Sequence, residues 1–215
     1  MNVPAPRIRL SEVLTAILAG LACFLVIDQL RLFGSPVLSV LIRLETQYYF
    51  ALIALLLPGV FLIYRSPWAA LDAGFGLGAF LAPLWLLLHA EAIANEGWEF
   101  LAPDHAVLAG SILWLLVLEA VRRVTGWVLF GIAFVFSMYP LFADLMPLMI
   151  SGMAIGFRET ASYHAMSIES IVGLPFRAFA NLVVGFLVFG ATLQHTGGGA
   201  FFIRLAFALL GGVRG

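Results

Sequence analysis

Residues 12–32 read EVLTAILAGLACFLVIDQLRL, an apolar run long enough to cross a lipid bilayer. A transmembrane helix needs ~20 mostly apolar residues. The rest of the 215-residue chain has the same character, since 63% of its residues are hydrophobic and 11% are charged. Soluble domains carry roughly 25% charged residues, so this chain has too little charge to cover a water-soluble fold. The sequence therefore predicts an all-α, polytopic membrane protein.

Charge and cysteine content exclude further classes of protein. The formal net charge is −1, unlike the basic surface of a nucleic-acid binder, so we expect no nucleic-acid partner. The single Cys23 excludes an internal disulfide framework and a cysteine-rich metal site. Cys23 lies in "LAGLAC", but Gly20 and the apolar "FLVI" that follows favour a retained membrane helix over a cleaved lipoprotein signal.

Apolar runs predict about six transmembrane helices. They lie at about 12–32, 46–64, 72–90, 105–121, 126–143 and 174–194. Pro67 in "RSPW" separates the second span from the third. The third contains "GFGLG" (74–78), which lacks the strand and the lysine of a phosphate-binding loop and instead predicts close helix packing.

The distribution of arginines predicts the orientation of these spans. Residues 91–104 carry four carboxylates and no arginine, so we place them outside, whereas Arg122 and Arg123 mark the inner end of the fourth span. The N-terminus is then cytoplasmic. Arg31 and Arg43 would lie outside, against the general rule.

The segment 144–173 is predicted to be a long outer loop with an apolar start. Residues 145–157, LMPLMISGMAIGF, are too few to span a bilayer, which indicates an interfacial or re-entrant piece. The polar stretch RETASYHAMSIES (158–170) follows it.

Four histidines raise the possibility of a haem. His89 and His105 flank the acidic loop at matching ends of two spans, where a bis-imidazole site is conceivable. The simpler interpretation is that both are interfacial side chains with solvated tips. His164 and His195 are predicted to lie at opposite faces of the membrane. We therefore name no metal ligand and expect no cofactor of this kind.

Charged residues in or near the spans are predicted to pair locally. Asp28 lies three residues before Arg31, and Glu119 lies three and four residues before Arg122 and Arg123. Neighbours at this spacing meet on a helix surface, so we interpret them as structural pairs and not as a proton relay.

Arg177 and Asn181 are four residues apart and share one face of the sixth span. We expect Arg177 to extend toward the membrane surface and Asn181 to make an interhelical hydrogen bond. The sequence shows neither a Ser/His arrangement nor paired carboxylates with the geometry of a hydrolase, so we assign no catalytic residue and expect no enzyme.

Two stretches resemble a known family. These are LWLLVLEAVRRVTGW (113–127) and GLPFRAFANLVVGFLVFGATLQHTGGGAFFIRLAFALLGGVRG (173–215). They are similar to the fused permease subunits of tripartite ATP-independent periplasmic (TRAP) transporters, in the class that works with TAXI-type binding proteins. The resemblance covers most of 105–215 and is most specific in the last forty residues, whereas the first hundred agree only in the number and placement of spans.

The resemblance implies two domains and a transport function. Residues 1–123 would form a small four-helix scaffold domain, and 124–215 would begin the large transport domain. The protein would be a secondary transporter of the bacterial inner membrane, in which a periplasmic binding protein delivers an organic anion, a carboxylate, and a cation gradient drives uptake. We expect the coupling cation to be Na⁺.

The end of the sequence is predicted to interrupt this large domain. The run AFFIRLAFALL (200–210) is too short to span a bilayer. We predict a short helix at 199–212 along the cytoplasmic face, after a turn at 197–199 that three glycines permit. The chain would be an N-terminal fragment whose substrate and cation sites lie beyond residue 215, so the substrate-binding residues are left unknown.

Two alternatives from other classes remain open at this point. One is a haem-binding membrane anchor subunit of a redox complex, which would show a b-type haem in a reduced-minus-oxidised spectrum. The other is a small self-contained channel, which would conduct ions through residues 1–215 alone.

The orientation gives a direct prediction. Cysteines introduced at Gly97 and Thr125, in a Cys23→Ser background, are expected to differ in reaction with an impermeant thiol reagent on intact cells. Position 97 should be labelled because its acidic loop lies outside, and position 125 should be protected because it follows the arginine pair. Labelling at 125 without labelling at 97 would show that the orientation is inverted.

Overall fold

The computed structural model describes residues 10–30 and 42–210. Within these residues the chain forms helices and no strand, which confirms the all-α class. The α-helices are α1 (Leu10–Gln29), α2 (Glu45–Ile63), α3 (Ala69–Leu88), α4 (Ala90–Glu96), α5 (Trp98–Leu101), α6 (Asp104–Thr125), α7 (Trp127–Met138), α8 (Phe157–Met166), α9 (Leu174–Ala178), α10 (Val184–His195) and α11 (Gly198–Leu210). A π-helix, Phe179–Val183, joins α9 to α10.

Four helical stretches in the described part combine the length and the apolar composition needed to cross a membrane. They are α1, α2, α3 and the continuous stretch Leu174–His195. These four match the predicted first, second, third and sixth spans and confirm a polytopic membrane protein.

The predicted fourth and fifth spans agree less well with the structure. The fourth coincides with α6, whose 22 residues reach about 33 Å at 1.5 Å per residue, but α6 is not among the four apolar stretches. The fifth, predicted at 126–143, is wrong in length, because α7 has 12 residues and gives way to a 3₁₀ turn at Tyr139–Leu141. Pro140 lies in this turn and has no backbone N–H to donate to the carbonyl four residues before it, so the α-helical hydrogen bonds do not continue through it.

The central helix of the bundle is α2. Over the most apolar 18 consecutive residues of α2, 56% of the residues are buried inside the bundle. The corresponding share is 11% for the Leu174–His195 stretch at the periphery. The buried side chains of α2 include Tyr49, Phe50 and Leu52, and it packs against α1, α3 and α6. The peripheral helices leave most of their apolar residues exposed, as expected for surfaces that face lipid.

Glycines bring neighbouring helices close together. A Cβ at Gly78 would lie 3.2 Å from the Leu116 side chain, and one at Gly76 would lie 4.0 Å from Phe61. Two glycines of the GFGLG stretch therefore face neighbouring helices, as predicted, whereas a Cβ at Gly74 would meet no atom within 4 Å.

The long predicted loop contains a packed helix. After a second 3₁₀ turn, Ala143–Leu145, the chain runs without regular structure to Gly156, and α8 then lies against α5 and α6. Thr160 and Ser162 of the polar stretch are buried, and each hydroxyl donates to a backbone carbonyl of its own helix. Although this stretch is polar in composition, most of it forms the helix α8, which packs against α5 and α6.

The predicted turn before the last helix is present. Gly197 has a φ of 75°, and α11 begins at the next residue. The apolar side chains of α11 are exposed, including Phe201, Phe202 and Leu209. Its location on the cytoplasmic membrane face stays a prediction.

The contact between α6 and α8 at Gly110 gives a test of packing. A Cβ there would lie 3.1 Å from the Cβ of Ala165 and 3.3 Å from the backbone oxygen of Ala161. Gly110→Leu is expected to destabilise the full-length protein by about 1–3 kcal/mol, because a larger side chain must push α8 away. The measurement is the melting temperature in detergent.

The matched control is Gly131→Leu on α7, where an added Cβ would meet no atom within 4 Å. Equal melting temperatures for the two variants would contradict the close packing at Gly110.

Candidate functional site

The strongest candidate site is a polar cluster around Tyr49, where α2 meets the Leu174–His195 stretch. The Tyr49 ring is 1% exposed. Its hydroxyl oxygen accepts hydrogen bonds from Asn181 Nδ2 at 3.1 Å and Arg177 Nε at 3.4 Å, and the hydroxyl donates to Glu45 Oε2 at 3.3 Å. The Tyr49 hydroxyl therefore binds two side chains that are distant in the chain, Arg177 at 128 positions and Asn181 at 132 positions from Tyr49.

Asn181 and Arg177 have the partners that their position in a span requires. The interhelical hydrogen bond expected for Asn181 is confirmed. Arg177 does more than extend toward the surface, because its Nη2 also donates to Glu45 Oε2 at 3.2 Å. The side chains of this ion pair are 37% and 73% exposed, so the pair adds little stability by itself. The buried Tyr49 hydroxyl fixes the geometry of the cluster.

The cluster lies beside a π-helix. The Tyr48 hydroxyl donates to the carbonyl oxygen of Ala180 at 2.8 Å, and both groups are buried. A π-helical turn is wider than an α-helical turn and shifts the backbone hydrogen-bond pattern, so its carbonyls benefit from a partner on a neighbouring helix. Single π-helical turns inside α-helices are frequent at functional sites.

A small cavity opens next to this contact. Its volume is about 240 Å³. It is lined by Val26, Gln29, Leu30, Glu45, Tyr48, Tyr49, Ala180 and Asn181. Ligand pockets usually measure about 300–1,000 Å³, so this space suits waters better than an organic anion. The cluster is therefore best understood as a contact between helices.

A second polar network centres on Arg123 at the end of α6. The predicted local pairs are confirmed, because Glu119 Oε1 lies 2.7 Å from both Arg122 Nη2 and Arg123 Nε. Arg123 Nη1 also donates to Asp72 Oδ1 at 2.7 Å and to the Tyr64 carbonyl oxygen at 2.8 Å. These two contacts join α6 to the start of α3 and to the residue that follows α2.

The Arg123 network is structural in character. The Arg123 and Asp72 side chains are only 6% and 7% exposed, and the guanidinium lies 4.9 Å from the Phe61 ring centre. A charge buried this deeply is tolerated only when its partners are all in place. The sequence interpretation missed Asp72, although a carboxylate at the start of an apolar span signals that a cation is near. The predicted Asp28–Arg31 pair lies outside the described residues.

His89 and His105 belong to an aromatic cluster with two tryptophans. The His89 ring stacks on Trp85 with centroids 3.9 Å apart, and His89 Nδ1 lies 2.9 Å from the Trp85 carbonyl oxygen. The His105 ring meets the Trp85 and Trp98 rings edge-on at 5.4 and 5.8 Å. Packing against the same two indoles accounts for both imidazoles, so the geometry lends no support to the haem alternative.

His164 ties α8 to the end of α7. Its Nε2 lies 2.8 Å from the Ser137 carbonyl oxygen, which can only accept, so Nε2 carries the proton. Nδ1 lies 2.7 Å from the Ser170 hydroxyl and, in the neutral ring, accepts a hydrogen bond from it. Burial lowers the pKa of His164, while the bond to Ser137 opposes that shift. The imidazole thus joins α8 to the end of α7, a packing role that the sequence did not assign.

The contact at the π-helix can be tested by removing one hydroxyl. Tyr48→Phe leaves the buried Ala180 carbonyl without its side-chain donor, so we expect a loss of about 1–3 kcal/mol in stability. The measurement is faster backbone hydrogen exchange at 179–184 in the full-length protein, together with a lower melting temperature. Tyr64→Phe, at a half-exposed ring, is the matched control. Unchanged exchange at 179–184 would mean that the hydroxyl does not support the π-helix.

Comparison with known proteins shows a similarity in the C-terminal half of the chain. The model of the family described as "Tripartite ATP-independent periplasmic transporter, DctM component" matches residues 112–215, from within α6 to the last residue of the sequence. No curated protein and no solved structure gives a significant match. The matched segment contains Arg123, Arg177 and Asn181. Residues 112–215, just under half of the chain, are thus similar to the DctM component of the tripartite ATP-independent periplasmic transporters.

Proposed function

We propose that the chain acts in a binding-protein-dependent secondary transporter that takes up an organic anion, a carboxylate, with a cation gradient. The observation that carries the proposal is the DctM family match over 112–215. Four apolar stretches long enough to cross a bilayer support a role as a membrane permease. On this proposal the partners are the lipid bilayer, a soluble periplasmic binding protein and the anion, and the coupling cation is Na⁺.

The described helices suit the role of a scaffold with an attached first transport helix. We propose that residues 1–123 form the scaffold, since α1, α3 and α6 pack around the central α2. Residues 124–215 would begin the transport domain, and the Tyr49 cluster is a contact between the two. The cavity at that contact is small for an organic anion. Following the family resemblance, we propose that the substrate and cation sites lie outside residues 1–215.

The distribution of charge supports an inner-membrane protein with a cytoplasmic N-terminus. Arg123 bonds to the Tyr64 carbonyl, so the arginines at 65, 122 and 123 lie at one end of the bundle. The acidic residues of 91–104 lie at the opposite ends of α3 and α6. Because positive loops tend to stay inside, we propose that the arginine end faces the cytoplasm and the acidic end faces the periplasm.

Transport can be measured with the full-length protein in proteoliposomes. Periplasmic binding proteins of the source organism are first screened for binding of radiolabelled carboxylates. The binding protein that retains a carboxylate is then added outside vesicles with an inward Na⁺ gradient. We expect the label to accumulate only when both the binding protein and the gradient are present.

Two controls sharpen this experiment. Replacing Na⁺ with K⁺ on both sides tests the coupling ion, and collapsing the gradient with an ionophore tests the energy source. Accumulation that needs neither the binding protein nor the gradient would contradict the proposal.

A further inference from the structure

The chain between α7 and α8 forms a folded loop, which we call the α7–α8 loop (residues 139–156). Three hydrogen bonds close its base: Gly152 N to the Ala143 carbonyl at 3.0 Å, Ile155 N to the Pro140 carbonyl at 2.9 Å, and the Tyr139 hydroxyl to the Ile150 carbonyl. These bonds hold the two arms of the loop together, so its tip has a defined position.

The tip of the loop is apolar and exposed. Ile150 N donates to the Pro147 carbonyl at 2.8 Å, which makes Leu148 and Met149 the central residues of a tight turn. These two residues are 98% and 97% exposed, more than any other large apolar residue in the described part of the chain. Exposing two such side chains to water is unfavourable at roughly 25 cal/mol per Å², so an apolar environment is expected around them.

The helix that leads into the loop is too short for the membrane. The 12 residues of α7 and the three-residue 3₁₀ turn rise about 24 Å together, which falls about 6 Å short of the ~30 Å hydrocarbon core. One side of α7, with Phe130 and Ala133, packs against the core, whereas Val135 and Phe136 are exposed. The apolar tip continues this exposed apolar surface where the helix ends.

A groove joins the loop to the flank of α7. It has a volume of about 520 Å³ and is lined by Val135, Phe136, Tyr139, Phe142, Met146, Ile150 and Ser151. Val135 and Phe136 belong to α7, and Met146 and Ile150 belong to the loop. The groove is therefore lined almost entirely by apolar side chains from both elements, a surface that suits acyl chains.

We propose that the α7–α8 loop inserts its tip into the acyl region of the leaflet at the C-terminal end of α7. The bilayer is its partner, and the inserted tip completes a span that α7 leaves short. Asp144 is the one charged residue between positions 139 and 157, and its exposed position at the base of the loop fits the level of the headgroups. This insertion does not depend on what the protein transports.

The test uses an environment-sensitive fluorophore on the full-length protein in phosphatidylcholine vesicles. Single cysteines are introduced by Met149→Cys and Leu148→Cys in a Cys23→Ser background and labelled with nitrobenzoxadiazole. Ile132→Cys on the flank of α7 serves as the lipid control, and Asn95→Cys in the acidic segment serves as the water control. Both control side chains are exposed, so labelling disturbs little packing.

Two quenchers then report the surroundings of each label. We expect labels at 148 and 149 to emit at shorter wavelength than at 95, to be quenched by phosphatidylcholine with a nitroxide on its acyl chain, and to be protected from iodide. Iodide quenching as strong as at position 95 would overturn the proposal. If the binding protein then shielded these labels, the tip would be a protein-docking surface and not a lipid anchor.

Discussion

Arg123 holds three helices in register at one end of the bundle. Its guanidinium donates to Glu119 on its own helix, to Asp72 at the start of α3, and to the Tyr64 carbonyl just after α2. Because the cation is buried, each partner compensates part of the cost of removing it from water, and none can be lost without exposing that cost. Arg123 therefore ties α2, α3 and α6 together at this end of the bundle.

In a bilayer, polar contacts and close approach at glycines determine which helices pack together. Lipid tails are as apolar as leucine, so burying apolar side chains between helices gives little preference for one neighbour over another. Close approach at Gly78 and Gly110 and the hydrogen bonds at Tyr49 supply that preference instead. The central helix α2 is thus fixed by Arg123 beyond its last turn and by Tyr49 near its first.

The sequence predicted the local features of this arrangement better than the distant ones. Glu119 and its arginines meet because residues three and four apart on a helix are neighbours, and the turn at Gly197 follows from the freedom of glycine at positive φ. The contacts of Asp72 with Arg123 and of Tyr49 with Asn181 join residues 51 and 132 positions apart. Hydropathy shows that helices exist and leaves open which ones touch. The fifth span was overestimated because counting apolar residues ignored Pro140.

The polar contacts also determine which helices are tied together. Tyr48 and Tyr49 bind Ala180 and Asn181, so the Leu174–His195 stretch cannot shift along α2 without breaking these bonds in an apolar environment. Beyond Gly197 the restraint ends, because within the described residues no side-chain hydrogen bond or ion pair connects α11 to another helix. The polar restraint on the Leu174–His195 stretch therefore lies near its start, at Ala180 and Asn181, and Gly197, with a φ of 75°, separates that stretch from α11.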